Sequence, residues 1–155
     1  MNDMIFTNSF KFLMIAFNKF HHTDHRAGSP SHYLGYMISG NCKITTDSQT
    51  VMIKEGDVFY IPNKCRYQSY WYGNPEIRFI SLGFSYFPNF DNKSYPVQVI
   101  PCDSTANESF FSLVNSVPLS AEDIGLFYTL VGTLMPKMSC KTICRTREIV
   151  EETKK

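Results

Sequence analysis

Short apolar runs alternate with polar turns between Tyr33 and Tyr67. Tyr33–Ser39 is apolar and aromatic and is broken by Gly40-Asn41. Cys42–Thr46 is rich in β-formers, Asp47-Ser48-Gln49 turns, and Val51–Lys54 returns. Glu55-Gly56-Asp57 turns again, and Val58–Ile61 stops at Pro62-Asn63. Strands this short and this regularly spaced predict an antiparallel sandwich or barrel. Glycines at the turns supply the positive φ that tight reversals need.

The same alternation extends to both sides. In 4–17, Phe10, Phe12, Met14 and Ala16 alternate with Lys11, Leu13, Ile15 and Phe17, and both sets are mostly apolar. That predicts one or two strands buried on both faces. Residues 66–72, RYQSYWY, place Tyr67, Ser69 and Trp71 on one face and Arg66, Gln68, Tyr70 and Tyr72 on the other. Gly73-Asn74-Pro75 reads as a turn, Ile77–Phe84 as the next strand, and Val97–Ile100 as a last short one.

Beyond 105 the period changes from two to 3.6. Asn107 or Thr105 is placed to cap a helix over Glu108–Val117, with Phe110, Leu113, Val114 and Val117 on one stripe. Pro118 ends it. Ser120 opens a second helix, with Glu122 and Asp123 in its first turn favouring the dipole. Its stripe runs Ile124, Phe127, Tyr128, Val131, Leu134, Met135 and Met138, flanked by Leu126 and Leu130, until Pro136 kinks or ends it. So wide an apolar face can pack on the barrel and still meet a partner. A symmetric homodimer is expected, with Phe127, Leu130, Val131 and Leu134 at its interface. The tail TREIVEETKK is charged and helix-prone, with Arg147–Glu151 and Glu151–Lys155 as i, i+4 pairs. The expected layout is a barrel over 1–104, a helical hairpin over 105–140 and the start of a linker over 141–155.

Composition narrows the function. The 155 residues suit one domain with a core of its own. A net charge of +1 is a poor match for a stand-alone nucleic-acid binder, which needs surplus Lys and Arg. The five Cys are odd in number, irregularly spaced and without a CxxC, which fits reduced thiols in a cytoplasmic protein. Cys140 and Cys144, four apart, lack a nearby ligand set for zinc. The N-terminus has no signal-peptide layout, and no stretch is long enough to span a membrane. Aromatics are 15% of the chain, enough both to fill a β-rich core and to line a pocket.

The Gly56-Asp57-(four residues)-Pro62 pattern, preceded by Ser39-Gly40, resembles a cupin. MISGNCKITTDSQTVMIKEGDVFYIPNKCRYQSY is similar to the N-terminal sensor domain of AraC-type transcription regulators, over roughly residues 20–155 and most specifically between His25 and Phe84. The resemblance implies a cupin-like (jelly-roll) antiparallel β-barrel followed by two α-helices. It implies a small-molecule effector in the barrel, a sugar or a small organic acid. DNA would be bound only through a C-terminal domain that this sequence lacks, which makes the chain a sensor fragment of a longer regulator.

All four His lie in 18–32, a stretch that Gly28, Ser29 and Pro30 mark as a loop. His21, His22, His25 and His32 beside Asp24 invite a metal reading, and a surface or pocket-mouth loop is the alternative. In metal-binding cupins the two motifs supply three His and one Glu. Tyr33 and Tyr67 stand here where the Glu and the second motif's His would fall, which argues against a catalytic metal and any cofactor. Tyr67 and Ser69 fall where cupin pockets take polar contacts, and Phe79 lies on the strand that borders the pocket. AraC-type sensors often carry an Arg just before the strand that ends in Ser-Gly, and Arg26 occupies that place. Its five-donor fork suits sugar hydroxyls or a carboxylate. The expected ligand contacts are thus Arg26, Tyr33, Tyr67, Ser69 and Phe79, with no catalytic residue. A metal-dependent isomerase or dioxygenase, and a ligand-free dimerisation module, remain the alternatives.

Overall fold

The computed structural model describes residues 9–87, 93–102, 105–116 and 118–142. Strands β1 (Phe10–His25), β2 (His32–Ser39), β3 (Asn41–Thr46), β4 (Thr50–Ile53), β5 (Val58–Ile61) and β6 (Tyr67–Phe84) come first. The short β7 (Lys93–Ser94) and β8 (Gln98–Ile100) follow, then helices α1 (Ala106–Val114) and α2 (Ala121–Leu134). A 3₁₀ turn, Met135–Lys137, and β9 (Lys141–Thr142) complete the described chain. The expected position of Val117 on the first helix, the 143–155 tail with its charge pairs, and Cys144 all lie outside the described residues.

β6 is the hub. Its first half pairs antiparallel with β3, its second half with β2, and its whole length with β1. The sheet runs β4-β3-β6-β2-β5-β8, with β1 on the opposite edge of β6. It curls into a nearly closed antiparallel barrel, and the Gln49 amide donating to the Val97 carbonyl at 3.1 Å helps tie its ends. The Ser39-Gly40 reversal joins β2 to β3 with Gly40 at φ 90°. A Cβ there would stand 2.8 Å from the Tyr72 carbonyl oxygen, so the turn requires glycine on both counts.

Three sequence expectations change, the first being that β1, expected to be buried on both faces, has only half-buried and exposed residues. Gly73-Asn74-Pro75 does not end a strand. It forms a bulge inside β6, where Asn18 faces Glu76, Phe20 faces Tyr72, and Lys19 stands against the tripeptide. The partner strand carries the ladder across the interruption. The histidine stretch is not a loop either. β1 continues to His25, because residues 67–72 offer it a complete edge: His21 faces Trp71, His22 faces Tyr70 and His25 faces Tyr67. Pairing between distant segments overrides the loop-like composition, and His32, also expected in that loop, opens β2.

The core has two halves, one on each face of the same sheet. Met37, Ile44, Ile53, Phe59, Ile61, Trp71, Ile77 and Phe79 fill the barrel interior. Leu34, Val58, Tyr60, Ile80, Leu82, Phe84 and Ile100 lie on the outer face and meet the helices. β5 reads as an unbroken apolar run because all four of its residues are buried, alternately inward and outward. α1 contributes Phe110 and Leu113 to the outer layer. α2 contributes Phe127, Leu130, Val131 and Leu134, at 0%, 4%, 1% and 1% exposure. The four side chains expected at a dimer interface are therefore turned inward and covered by this chain's own barrel.

α2 begins with a reciprocal capping box. Ser120 Oγ accepts from the Asp123 amide at 3.2 Å, and Asp123 Oδ2 accepts from the Ser120 amide at 2.8 Å. That bonding holds the Asp123 carboxyl below its usual pKa range. Pro136 ends the helix, and the chain tightens into the 3₁₀ turn.

Candidate ligand-binding site

Alternation along β6 points Tyr67, Ser69, Trp71, Phe79 and Ser81 into the barrel, and β1 answers with Ile15, Phe17, Thr23 and His25. With Tyr33 of β2 and Phe59 and Ile61 of β5 they line a cavity of about 180 Å³ that is open on one side. Four of the five residues expected at the ligand, Tyr33, Tyr67, Ser69 and Phe79, come together there. None of its lining residues is Asp, Glu, Lys or Arg.

One wall is aromatic. Trp71 and Phe79 stack with ring centroids 4.1 Å apart and planes 16° off parallel, and Phe59 meets Trp71 edge-on at 6.3 Å. Phe17 leans on Phe79 at 6.1 Å. Ser69 holds this wall in place. Its hydroxyl accepts from Trp71 Nε1 at 2.8 Å and shares a hydrogen bond with the Thr23 hydroxyl across to β1. Ser69 is 1% exposed and its bonding capacity serves the protein itself.

Tyr67 differs. It is 6% exposed, yet its hydroxyl has no hydrogen-bond partner among the described residues. Burial pushes its pKa well up, so the group stays a protonated donor. Its ring lies 4.9 Å from that of His25, whose imidazole also has no hydrogen-bond partner among the described residues. Tyr33 completes this end of the cavity. Burial raises its hydroxyl pKa as well, offset in part by a bond with Ser31.

Arg26 does not line the cavity. Its side chain is 69% exposed and pairs with Asp24 at 2.7 Å, in the turn that directly follows β1. It borders an outer recess of about 200 Å³ with Asp47, Arg66 and Gln68, which Tyr67 touches from the inside. A larger open trough, about 320 Å³, lies at the surface between the Thr46–Gln49 turn and Lys64–Arg66. It encloses little and holds none of the buried polar groups.

The histidines do not converge. His21 and His25 lie on the inner side of β1, His21 stacked on Phe17 at 3.6 Å, while His22 lies outside, stacked on Tyr70 at 4.6 Å. Slight burial and then the neighbouring His22 lower the pKa of His21. Among the described residues no group of three or more His, Cys, Asp or Glu is placed to hold a metal ion.

Sequence reasoning missed Thr23, His25, Trp71, Phe59 and Ile61 as cavity residues. Trp71 was legible, since alternation puts it beside Tyr67 and Ser69. Thr23 and His25 became legible only once β1 was known to pair with β6.

A family model described as an EutQ-like cupin domain matches residues 25–72. No curated protein matches by sequence. Among solved structures, ToxT from Vibrio cholerae is similar, with a TM-score of 0.61 at 12% identity over 83% of this chain and 57% of that one. Unsaturated fatty acid-bound ToxT from the same organism gives 0.58 at 12% identity, covering 78% and 52%. ToxT bound to (E)-4-(8-methylnaphthalen-1-yl)but-3-enoic acid gives 0.58 at 13% identity, covering 78% and 54%. The chain thus spans a little over half the length of the ToxT chains it matches. The nearly closed antiparallel barrel, the cupin-domain match within it and the two helices packed on its outer face together identify the fold as that of a cupin.

Proposed function

We propose that this chain is the effector-sensing and dimerisation domain of an AraC-type transcription regulator. A small molecule would enter the barrel and control DNA-binding domains attached beyond residue 155. The observation that carries this reading is the cavity itself: it lies inside the barrel, opens on one side, and presents the hydroxyl of Tyr67, which has no partner among the described residues, to whatever enters. A barrel built only as a scaffold would fill that space. The resemblance of His25–Phe84 to AraC-type sensors supports the same reading, as does the similarity to ToxT, two structures of which hold a small organic acid.

The cavity lining offers no carboxylate pair for acid–base chemistry, so binding rather than catalysis is the role we assign. A ligand acts here by its differential affinity for two states of the domain. β1 supplies one wall of the cavity, while its Phe10 and Phe12 pack on Phe127 of α2. A ligand pressing on β1 therefore bears on the helical pair. Dimerisation would use the outer side of α2, where Gly125, Thr129 and Gly132 are exposed and small enough for a second helix to approach closely. A cytoplasmic setting fits the free thiols of Cys42, Cys65 and Cys140.

The test is a thermal-shift screen of the chain against small acids, sugars and metal ions, with its mass in solution measured alongside. A saturable rise in melting temperature with one organic ligand supports the sensor, because binding to the folded state stabilises it by mass action. A rise with a transition metal alone would replace it with a metal-dependent enzyme.

A further inference from the structure

We infer that the effector is a monocyclic aromatic carboxylate of roughly ten non-hydrogen atoms, its ring against Trp71, Phe79 and Phe17 and its carboxylate received by Tyr67, Tyr33 and His25. This rests on the sensor reading above and names the ligand class of the same site.

Size comes first. An apolar cavity of about 150 Å³ accepts one benzene ring. At about 180 Å³ this one has room for a ring and a small head group. Drug-sized ligands occupy roughly 300–1,000 Å³. The unsaturated fatty acid and the methylnaphthalenyl butenoic acid of the ToxT structures would fill more than this space and extend past its open side.

Polarity decides the rest. A sugar needs a partner for each of several hydroxyls. Here Ser69 and Thr23 are already bonded to each other and to Trp71, and most of the remaining wall is apolar. Apart from Ser81, the polar groups left over are the Tyr67 and Tyr33 hydroxyls and the His25 ring, and all three can donate. Burial keeps both tyrosines protonated. Donors with no acidic residue among them select an acceptor head, and a carboxylate takes charge-assisted bonds from all three. The aromatic wall favours a flat ring over an aliphatic chain of equal volume.

Trp71 is the only tryptophan of the chain and lines the cavity, so its fluorescence reports occupancy directly. The chain is titrated with 4-methylbenzoate, 4-methylphenol, D-arabinose and palmitoleate. The expected result is a saturable change with 4-methylbenzoate and binding at least tenfold weaker for 4-methylphenol. Tyr67→Phe, which keeps the ring and is checked for native packing by near-ultraviolet circular dichroism, should weaken 4-methylbenzoate at least tenfold. Arg26→Ala should leave it within twofold. Equal binding of 4-methylphenol, or full binding by Tyr67→Phe, overturns the assigned head group. A saturable response to D-arabinose or palmitoleate with none to the benzoate overturns the ligand class and leaves the sensor standing. Silence from all four overturns the inference and counts against the sensor reading as well.

Discussion

His25 and Tyr67 face each other across β1 and β6, ring centroids 4.9 Å apart, and close the polar end of the cavity. Two residues further along the same two faces, Thr23 and Ser69 share a hydrogen bond. Of two adjacent cross-strand pairs, one is saturated within the protein and the other is open to a ligand.

That contrast separates stability from binding. Ser69→Ala removes the acceptor of Trp71 Nε1 and the partner of Thr23, leaving a buried donor unsatisfied, and should cost about 1–3 kcal/mol. Tyr67→Phe breaks no internal bond and should change stability by less than about 0.5 kcal/mol. Urea midpoints of the two variants decide it. A larger loss for Tyr67→Phe than for Ser69→Ala would mean that the hydroxyl has a structural partner.

Arg26→Ala should leave the melting temperature unchanged. The Arg26–Asp24 pair is exposed and local, and such pairs contribute little in water. The interaction lowers the Asp24 pKa and raises that of Arg26, both within one solvated turn. A clear destabilisation would show that Arg26 anchors the turn through contacts other than this pair.

Acid should weaken the fold through His32. The Asn63 amide donates to His32 Nδ1 at 3.1 Å, and the Tyr60 hydroxyl lies 2.8 Å from the same nitrogen. A backbone N–H can only donate, so Nδ1 carries the lone pair and the ring is neutral. Burial lowers its pKa. Below about pH 6.5 the unfolded chain takes up a proton that the folded ring resists, so stability present above that pH is lost as pH falls towards the folded-state value. His21 adds to the same trend. Melting temperatures at pH 7.5 and 5.5 should fall further in the native chain than in His32→Gln. Equal falls would contradict the assignment.

Phe127→Ala should act on folding rather than on association. The ring is 0% exposed and packs on Phe10, Phe12 and Phe84. Its removal should cost about 3–5 kcal/mol, a large share of a domain's usual stability. Gly125→Arg, on the exposed side of α2, should instead leave the urea midpoint nearly unchanged and shift a dimer towards monomer in solution. A Phe127→Ala chain that keeps its midpoint and loses only its partner would place that ring at an interface.

Much of this architecture is written locally. Alternation along 66–72 and 77–84 assigns Tyr67, Ser69, Trp71 and Phe79 to one face, and the turns at Gly40 and Gly56 set the strand lengths. Both helices, their order and the Ser120 start follow from the 3.6 period and the cap. These features depend on neighbours a few residues apart, which is the range over which a sequence pattern can be read.

What the sequence left open depends on pairing between distant segments. Only the β1–β6 ladder turns the histidine stretch into strand, brings Thr23 and His25 to the cavity and leaves Arg26 outside it. Only the packing of α2 on the outer face of the sheet decides that Phe127, Leu130, Val131 and Leu134 are core. An apolar stripe states that a face must be covered; tertiary structure alone states by what. Whether Tyr67 and its neighbours fill a barrel or line a space is a question of the volume left between strands, and the β1, β2, β5 and β6 side chains together leave a cavity there.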